Sequence, residues 1–258
     1  MSERSEFSEA AISAAILDSY HQKLSAQIVS DVVVVGAGPS GLVAAFHLAA
    51  AGKRVTILEK RLTPGGGIWG GAIGMNEVLV QEEAVSLVTG AGVRVVNRGS
   101  GLYTMDAAEL ACALCLKAIQ AGAVLINLMM LEDLCVRGGK ITGVVANRTT
   151  IGGVLPVDPI VLSAGTVIDA TGHEAVAVQQ LRKRGLLTSA EVPGEGPMDA
   201  PAGESFVVEQ VGEPFPGLWV TGMSVCTTYG GPRMGPIFGG MLLSGRRVAN
   251  RILGIEAS

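Results

Sequence analysis

The hydrophobic period changes twice near the start of the chain. In EAAISAAILDSYHQKL, Ile12, Ile16, Tyr20 and Leu24 recur every four residues with Leu17 beside them, which predicts an amphipathic helix at about residues 8–28 behind a polar tail. Asp31 is followed by four valines at 32–35, a run that reads as a buried strand. It enters Gly36, Gly38 and Gly41 and continues into an alanine-rich helix at 42–51. A second strand at 54–58 ends at Glu59, giving a βαβ unit. Downstream, the pattern predicts a glycine-rich loop at 64–74, a helical stretch at 75–90, a short strand near Val93 and a helix at 106–122. Strands are expected at 124–128, 131–137 and 140–147, then a loop at 149–159 and a strand at 166–169 running into Ala170-Thr171-Gly172-His173. The last part reads as a long loop or lid at 187–205, a strand at 218–221, a loop at 222–235 and a terminal helix at about 237–253.

Composition narrows the classes. A chain of 258 residues with 48% apolar content can bury a sizeable core. With no internal repeat and no clean linker, we expect a single dinucleotide-binding domain over 1–258, with the N-terminal helix and a flexible loop at about 187–205. The 36 glycines are about twice the usual ~7% and point to turns and close backbone approaches. Net charge is −4, with no basic excess, so no nucleic-acid partner is expected. The most apolar segment, 32–51, is broken by Gly36, Gly38, Pro39, Gly41 and His47, so no membrane span is expected. Nothing at the start reads as a signal segment, and the expected compartment is cytoplasmic. Charged residues are only 16%, which leaves little polar surface for a monomer and implies a homo-oligomer. Cys112, Cys115, Cys135 and Cys226 form no disulfide framework; the first two read as small apolar positions on one helix face.

The chemistry starts at Gly36-x-Gly38-x-x-Gly41. Gly36 permits the turn off the strand, Gly38 lets a pyrophosphate approach the backbone, Gly41 allows close helix packing, and the helix N-terminus faces the phosphates. Glu59, 21 residues after Gly38, can accept from both ribose hydroxyls of an adenosine. Ala170-Thr171-Gly172 and Val220-Thr221-Gly222 resemble the later signatures of flavin disulfide-reductase-type proteins. The expected fold class is therefore α/β, a flavoprotein (glutathione-reductase)-like Rossmann dinucleotide-binding fold with an inserted small β region. Ordinary flavoproteins usually carry Gly-Asp at the end of the late strand, and this chain has Met223 after Gly222. A thioether cannot replace a carboxylate at the ribityl chain.

SDVVVVGAGPSGL, LEKRLTPGGGIWGG, the VDP at 157–159, VIDATGHE and GGPRMGPIFGGMLLSGRRVA together resemble the thiamine thiazole synthase family in its archaeal and bacterial branch, over about residues 9–253. The resemblance implies that NAD is a substrate: nicotinamide leaves, the ADP-ribose opens and condenses with glycine, sulfur is added, and the product cyclises to an ADP-thiazole carboxylate for thiamine biosynthesis. It implies that Gly36, Gly38, Ser40, Gly41, Glu59, Lys60 and Gly67 hold the adenosine diphosphate portion, with Met129 at the adenine and Val157 and Met223 in the same site. Arg233 would pair with the glycine carboxylate, a role that suits a planar guanidinium fork. Asp158 and His173 would bind Fe(II), the aspartate coming from a neighbouring subunit of an octamer. One carboxylate and one imidazole suit a divalent iron with open positions.

One position departs from the family. Some members have a sacrificial cysteine just before the VDP-like segment and many prokaryotic members a histidine, whereas this chain has Pro156. Proline carries neither sulfur nor a titratable group, so the expected sulfur source is free sulfide, over multiple turnovers. Two other readings stay open: an FAD- or NAD-dependent oxidoreductase, and a diverged, non-catalytic dinucleotide-binding member.

Overall fold

The computed structural model describes residues 7–151, 158–187 and 192–255. Its first element, α1 (Glu9–Ser25), starts at Ser8, whose hydroxyl accepts from the Ala11 N–H. No residue of α1 is buried, and Ile16 and Leu17 stay 64% and 56% exposed. Of its apolar stripe, Leu24 packs against the edge of the core and Tyr20 lies under the Arg148 guanidinium, while Ile12 and Ile16 stay exposed.

β1 (Val29–Val35), α2 (Pro39–Ala50) and β2 (Val55–Glu59) form the expected βαβ unit. A glycine-rich 3-10 turn (Gly66–Gly70) leads to β3 (Glu77–Gln81) and α3 (Glu82–Gly90). β4 (Val96–Gly99), β5 (Leu102–Asp106), α4 (Ala107–Gln120), β6 (Val124–Asn127), β7 (Met129–Arg137) and β8 (Lys140–Arg148) follow, then β9 (Ile160–Asp169) and α5 (Val176–Lys183). The last part holds β10 (Gly196–Met198), α6 (Ala200–Glu209), β11 (Gly212–Phe215), β12 (Leu218–Val220), α7 (Met223–Tyr229), β13 (Pro232–Arg233) and α8 (Gly239–Ile252).

The strand order β12-β9-β1-β2-β6 is parallel throughout, with β11 antiparallel on the β12 edge. β1 sits in the middle, which is why its valine run is continuous rather than alternating: Val33 and Val34 have no exposed surface. Burying each such side chain contributes roughly 1.5–3 kcal/mol. β9 serves two partners, pairing antiparallel with β8 through residues 160–163 and parallel with β1 through 163–169. β8 in turn pairs with β7, and this excursion is the inserted small β region. α2 packs against α4 and α8, and α8 also meets α6. The architecture is the α/β, mostly parallel, Rossmann-like fold that the sequence pattern implies.

Four local readings need correction. Residues 75–90 are not one helix: Val78 and Val80 are buried while Glu77 is exposed, a period of two that pairs β3 with β5 before α3 begins. Val93 is buried just after the turn that ends α3, and the strand starts at Val96. Within 187–205, β10 and α6 replace much of the expected loop; Asp199 caps α6 by accepting from the Ala202 N–H, and a proline stands in its first turn. Within 222–235 lie α7 and β13. Six of the seven α7 residues are buried, so no amphipathic period marks this helix. Among the described residues no helix is long and apolar enough to cross a membrane.

Candidate functional site

β1, β9 and β12 are parallel neighbours, so their carboxyl ends open along one edge of the sheet, where ligands of such sheets bind. Two of the three motif glycines are fixed by packing there. Gly36 has φ +105°, and a Cβ on it would stand 2.4 Å from the Ala170 carbonyl oxygen; one on Gly41 would stand 2.1 Å from that of Gly36. Gly38 differs. It is the N-cap of α2 with φ −75° and ψ −177°, an extended conformation any residue adopts, and a Cβ there would meet nothing within 4 Å. It faces a cleft of about 590 Å³, well within the range of small-molecule sites. The first turn of α2 holds no acidic residue, and its leading N–H groups lack intrahelical partners, so the cleft floor is a ready anion site.

Glu59 ends β2 and is buried beside this floor. Its Oε2 accepts from the Ala37 N–H at 2.9 Å and its Oε1 from the Arg61 N–H at 2.8 Å. These bonds fix the carboxylate while each oxygen keeps acceptor capacity toward the cleft. Ser40 and Gly67 also line the cleft, as do Met129 and Met223, both buried, which supply apolar wall. Lys60 pairs with Glu174 at 2.6 Å at its mouth. Gly41 does not line the cleft.

The turn after β9 is held by Asp169, which has no exposed surface. Its Oδ1 accepts from the Thr171 N–H and hydroxyl and from the Ser224 hydroxyl; its Oδ2 accepts from the N–H groups of Ala177 and Val178 at the start of α5. This saturated carboxylate ties β9, α5 and α7 together and presents His173 at the cleft. Arg233, on β13, lines the same cleft. Between them stands Glu195, whose Oε1 lies 2.5 Å from His173 Nδ1 and whose Oε2 lies 3.6 Å from Arg233 Nε.

Sequence reasoning missed both Asp169 and Glu195. Asp169 follows an apolar strand and precedes the glycine turn, a position that could have signalled it. Glu195 lies in a Pro- and Gly-rich stretch with no periodicity to mark it.

Asp158 is exposed and does not line this cleft, so within one chain it is not brought to His173. Val157 and Pro156 lie outside the described residues. No cluster of three or more His, Cys, Asp or Glu able to hold a metal exists among the described residues of one chain. Of the pair expected to bind iron, one chain therefore brings only His173, with a ring nitrogen to spare, to the cleft. An imidazole joined by one carboxylate is a donor pair whose chemistry suits a divalent iron. Cys226 is fully buried, and burial, with Glu195 and Glu204 adding to it, pushes its thiol up to about 12. It is thus protonated at neutral pH and a poor nucleophile. Burial also raises the thiols of Cys115 and Cys135.

Residues 13–238 match the model of the Thi4 family. A protein of Thermococcus kodakarensis named thiamine thiazole synthase is 49% identical over 246 residues, 95% of this chain and 97% of that one. One of the same name from Thermotoga maritima is 46% identical over 239 residues, 92% and 94% of the two chains. The crystal structure of Thermovibrio ammonificans THI4 superposes with a TM-score of 0.91 at 41% identity, covering 96% of this chain and 98% of that one. With the glycine cradle, the placed acid and the full-length match in agreement, the chain belongs to the Thi4 family, a family of enzymes of thiamine thiazole biosynthesis.

Proposed function

We propose that this enzyme converts NAD, glycine and sulfide to an ADP-thiazole carboxylate, releasing nicotinamide, with Fe(II) and over multiple turnovers. The observation that carries the reading is that the nucleotide-type cradle, the imidazole of His173 and the guanidinium of Arg233 all face one cleft. In it, the α2 N–H groups donate to the pyrophosphate over Gly38, Glu59 accepts from the adenosine ribose hydroxyls, and Met129 and Met223 cover apolar surface of the nucleotide. Arg233 presents its fork to the glycine carboxylate. His173, with Asp158 of a second copy, would hold the iron, which when bound supplies a Lewis acid with positions open to substrate and sulfide.

Two observations support the shared site and the homo-oligomer, an octamer by family resemblance. α1 leaves Ile12, Ile16 and Leu17 exposed on its own chain. Close in sequence to the exposed Asp158, Ile160 and Val161 at the start of β9 are exposed apolar residues, as are Ile28 and Val29 at the start of β1, which pairs with β9 from Ser163 onward. Sulfide as donor is supported by Pro156, which has no sulfur, and by the protonated Cys226. Reducing, cytoplasmic conditions would keep both sulfide and Fe(II) available. Against a flavin oxidoreductase stands Met223, a buried thioether where ordinary flavoproteins present a carboxylate to the ribityl chain. The test is anaerobic incubation with NAD, Fe(II), glycine and sulfide. Release of more than one nicotinamide per subunit, dependent on all four additions, is expected; intact NAD after this incubation would contradict the proposal.

A further inference from the structure

We infer that Glu195 is the positioning residue of this cleft: one carboxylate, set between His173 and Arg233, orients both and leaves each with its outward nitrogens free for ligands. The inference rests on the reading of the cleft proposed above, since those are the two side chains it aims.

The backbone around Glu195 is held on both sides. The Gly194 N–H donates to the Thr227 carbonyl at 3.1 Å and the Gly196 N–H to the Gly231 carbonyl at 2.8 Å. From Gly196 onward the chain is β10, paired in parallel with β13 so that Gly196 faces Pro232 and Met198 faces Arg233, and the Asp199 N–H donates to the Arg233 carbonyl. Register, not a flexible loop, thus sets the spacing between the carboxylate and the guanidinium. The side chain is mostly buried, at 14% exposure, against 61% for His173 and 53% for Arg233. The inner group is therefore the fixed one, and the two outer groups lean on it. Thr227, on α7, links the parts further: its hydroxyl lies 3.0 Å from the His173 carbonyl oxygen and 3.3 Å from Glu195 Oε1.

The consequence for His173 follows from donor and acceptor inventory. With the carboxylate as acceptor and the ring neutral, the 2.5 Å contact puts the proton on Nδ1 and leaves the Nε2 lone pair for a ligand. Free imidazole has no such constraint. The consequence for Arg233 is parallel. Glu195 faces Nε, the inner edge of the guanidinium, and the terminal nitrogens stay available for a carboxylate. A carboxylate that backs a metal-binding histidine typically matters 10–100-fold in metal affinity.

The test reads the ring directly, in full-length protein without metal. The chain has three histidines, so a protein labelled with 15N-histidine gives three imidazole patterns, assignable through His21→Gln and His47→Gln. At a pH where the ring is neutral, His173 should show a protonated Nδ1 and a bare Nε2. Glu195→Ala should convert it to a mixture with the proton largely on Nε2. Glu195→Gln, nearly isosteric and still able to accept through its amide oxygen, should hold the native tautomer. Both variants remove the negative charge behind Arg233, and both should raise KM for glycine about tenfold with a smaller change in kcat. Fe(II) affinity, measured anaerobically by calorimetry, should fall about 10–100-fold in Glu195→Ala. An unchanged His173 tautomer in Glu195→Ala, in a variant that melts near the native temperature, would overturn the inference. If native protein binds no Fe(II), the proposed iron site fails, while the tautomer experiment still decides the role of Glu195.

Discussion

Gly38→Ala separates the cleft floor from the fold. The new methyl meets no heavy atom within 4 Å, and φ −75° with ψ −177° suits alanine. In the folded chain alanine is a poorer N-cap than glycine, a loss of a few tenths to ~1 kcal/mol, and lowering the unfolded-state entropy returns about 0.4–1 kcal/mol. These offset, so Tm should move by no more than about 3 °C for a chain of this size. The dinucleotide is affected differently. A methyl at the N-cap holds the phosphates off the α2 N–H groups, and charge-assisted hydrogen bonds of this kind are worth about 1.5–3 kcal/mol. NAD affinity should therefore drop about 10- to 100-fold. Gly41→Ala is the control, because its Cβ would stand 2.1 Å from the Gly36 carbonyl oxygen, an atom that cannot yield cheaply; overpacking there should cost about 3 kcal/mol or more. Thermal unfolding and calorimetric titration with NAD, without glycine, read both quantities. A Gly38→Ala protein with native Tm and native NAD affinity would refute the placement of the pyrophosphate. One that unfolds like Gly41→Ala would refute the packing argument.

Glu204, buried on α6 with its Oε2 accepting from the Gly240 N–H, is raised by burial to about 7, the Gly240 N–H opposing. A raised folded pKa stabilises fully below the ordinary carboxylate range, and this contribution is lost as pH rises through 7. Stability should fall by about 3 kcal/mol between pH 5 and 8.5, and Glu204→Gln should flatten the slope; a native protein equally stable at both pH values would contradict this. Asp169→Asn turns an amide N–H₂ toward donors that now share a carboxylate, and calorimetry should find a loss of about 3 kcal/mol, or roughly 6–12 °C in Tm; an unchanged Tm would remove Asp169 from its anchoring role. Asp158→Ala and His173→Ala should each lack iron-dependent turnover yet retain NAD binding, and subunits of the two mixed after partial unfolding should regain turnover; no recovery would argue against a site shared between copies.

The parts of the fold legible in the sequence were those where one physical demand dominated. The valine run at 32–35 reads as a buried strand, and of the glycines after it the structure shows the turn expected at Gly36, with φ +105°, and the close packing expected at Gly41. Burial without alternation hid α7, and the richness in Pro, Gly and Ala around 199–205 masked the Asp199 cap and proline that start α6. The site split along the same line. Local spacing exposed the glycine cradle and Glu59, and residues on one turn or strand end, such as His173, were recognised through the family motif. Glu195 could not be read, because its neighbours His173 and Arg233 meet it only through the β10–β13 register and the packing of α7, which are long-range relations. Asp158 was legible as a motif residue, although within one chain the structure does not bring it to the cleft that holds His173.

Mass spectrometry of the small molecule that copurifies with the protein from cells decides whether the cleft consumes its dinucleotide. We expect an adenylated species derived from NAD without its nicotinamide, an ADP-thiazole carboxylate or the glycine imine of ADP-ribulose. Intact FAD released from the same cleft would contradict it.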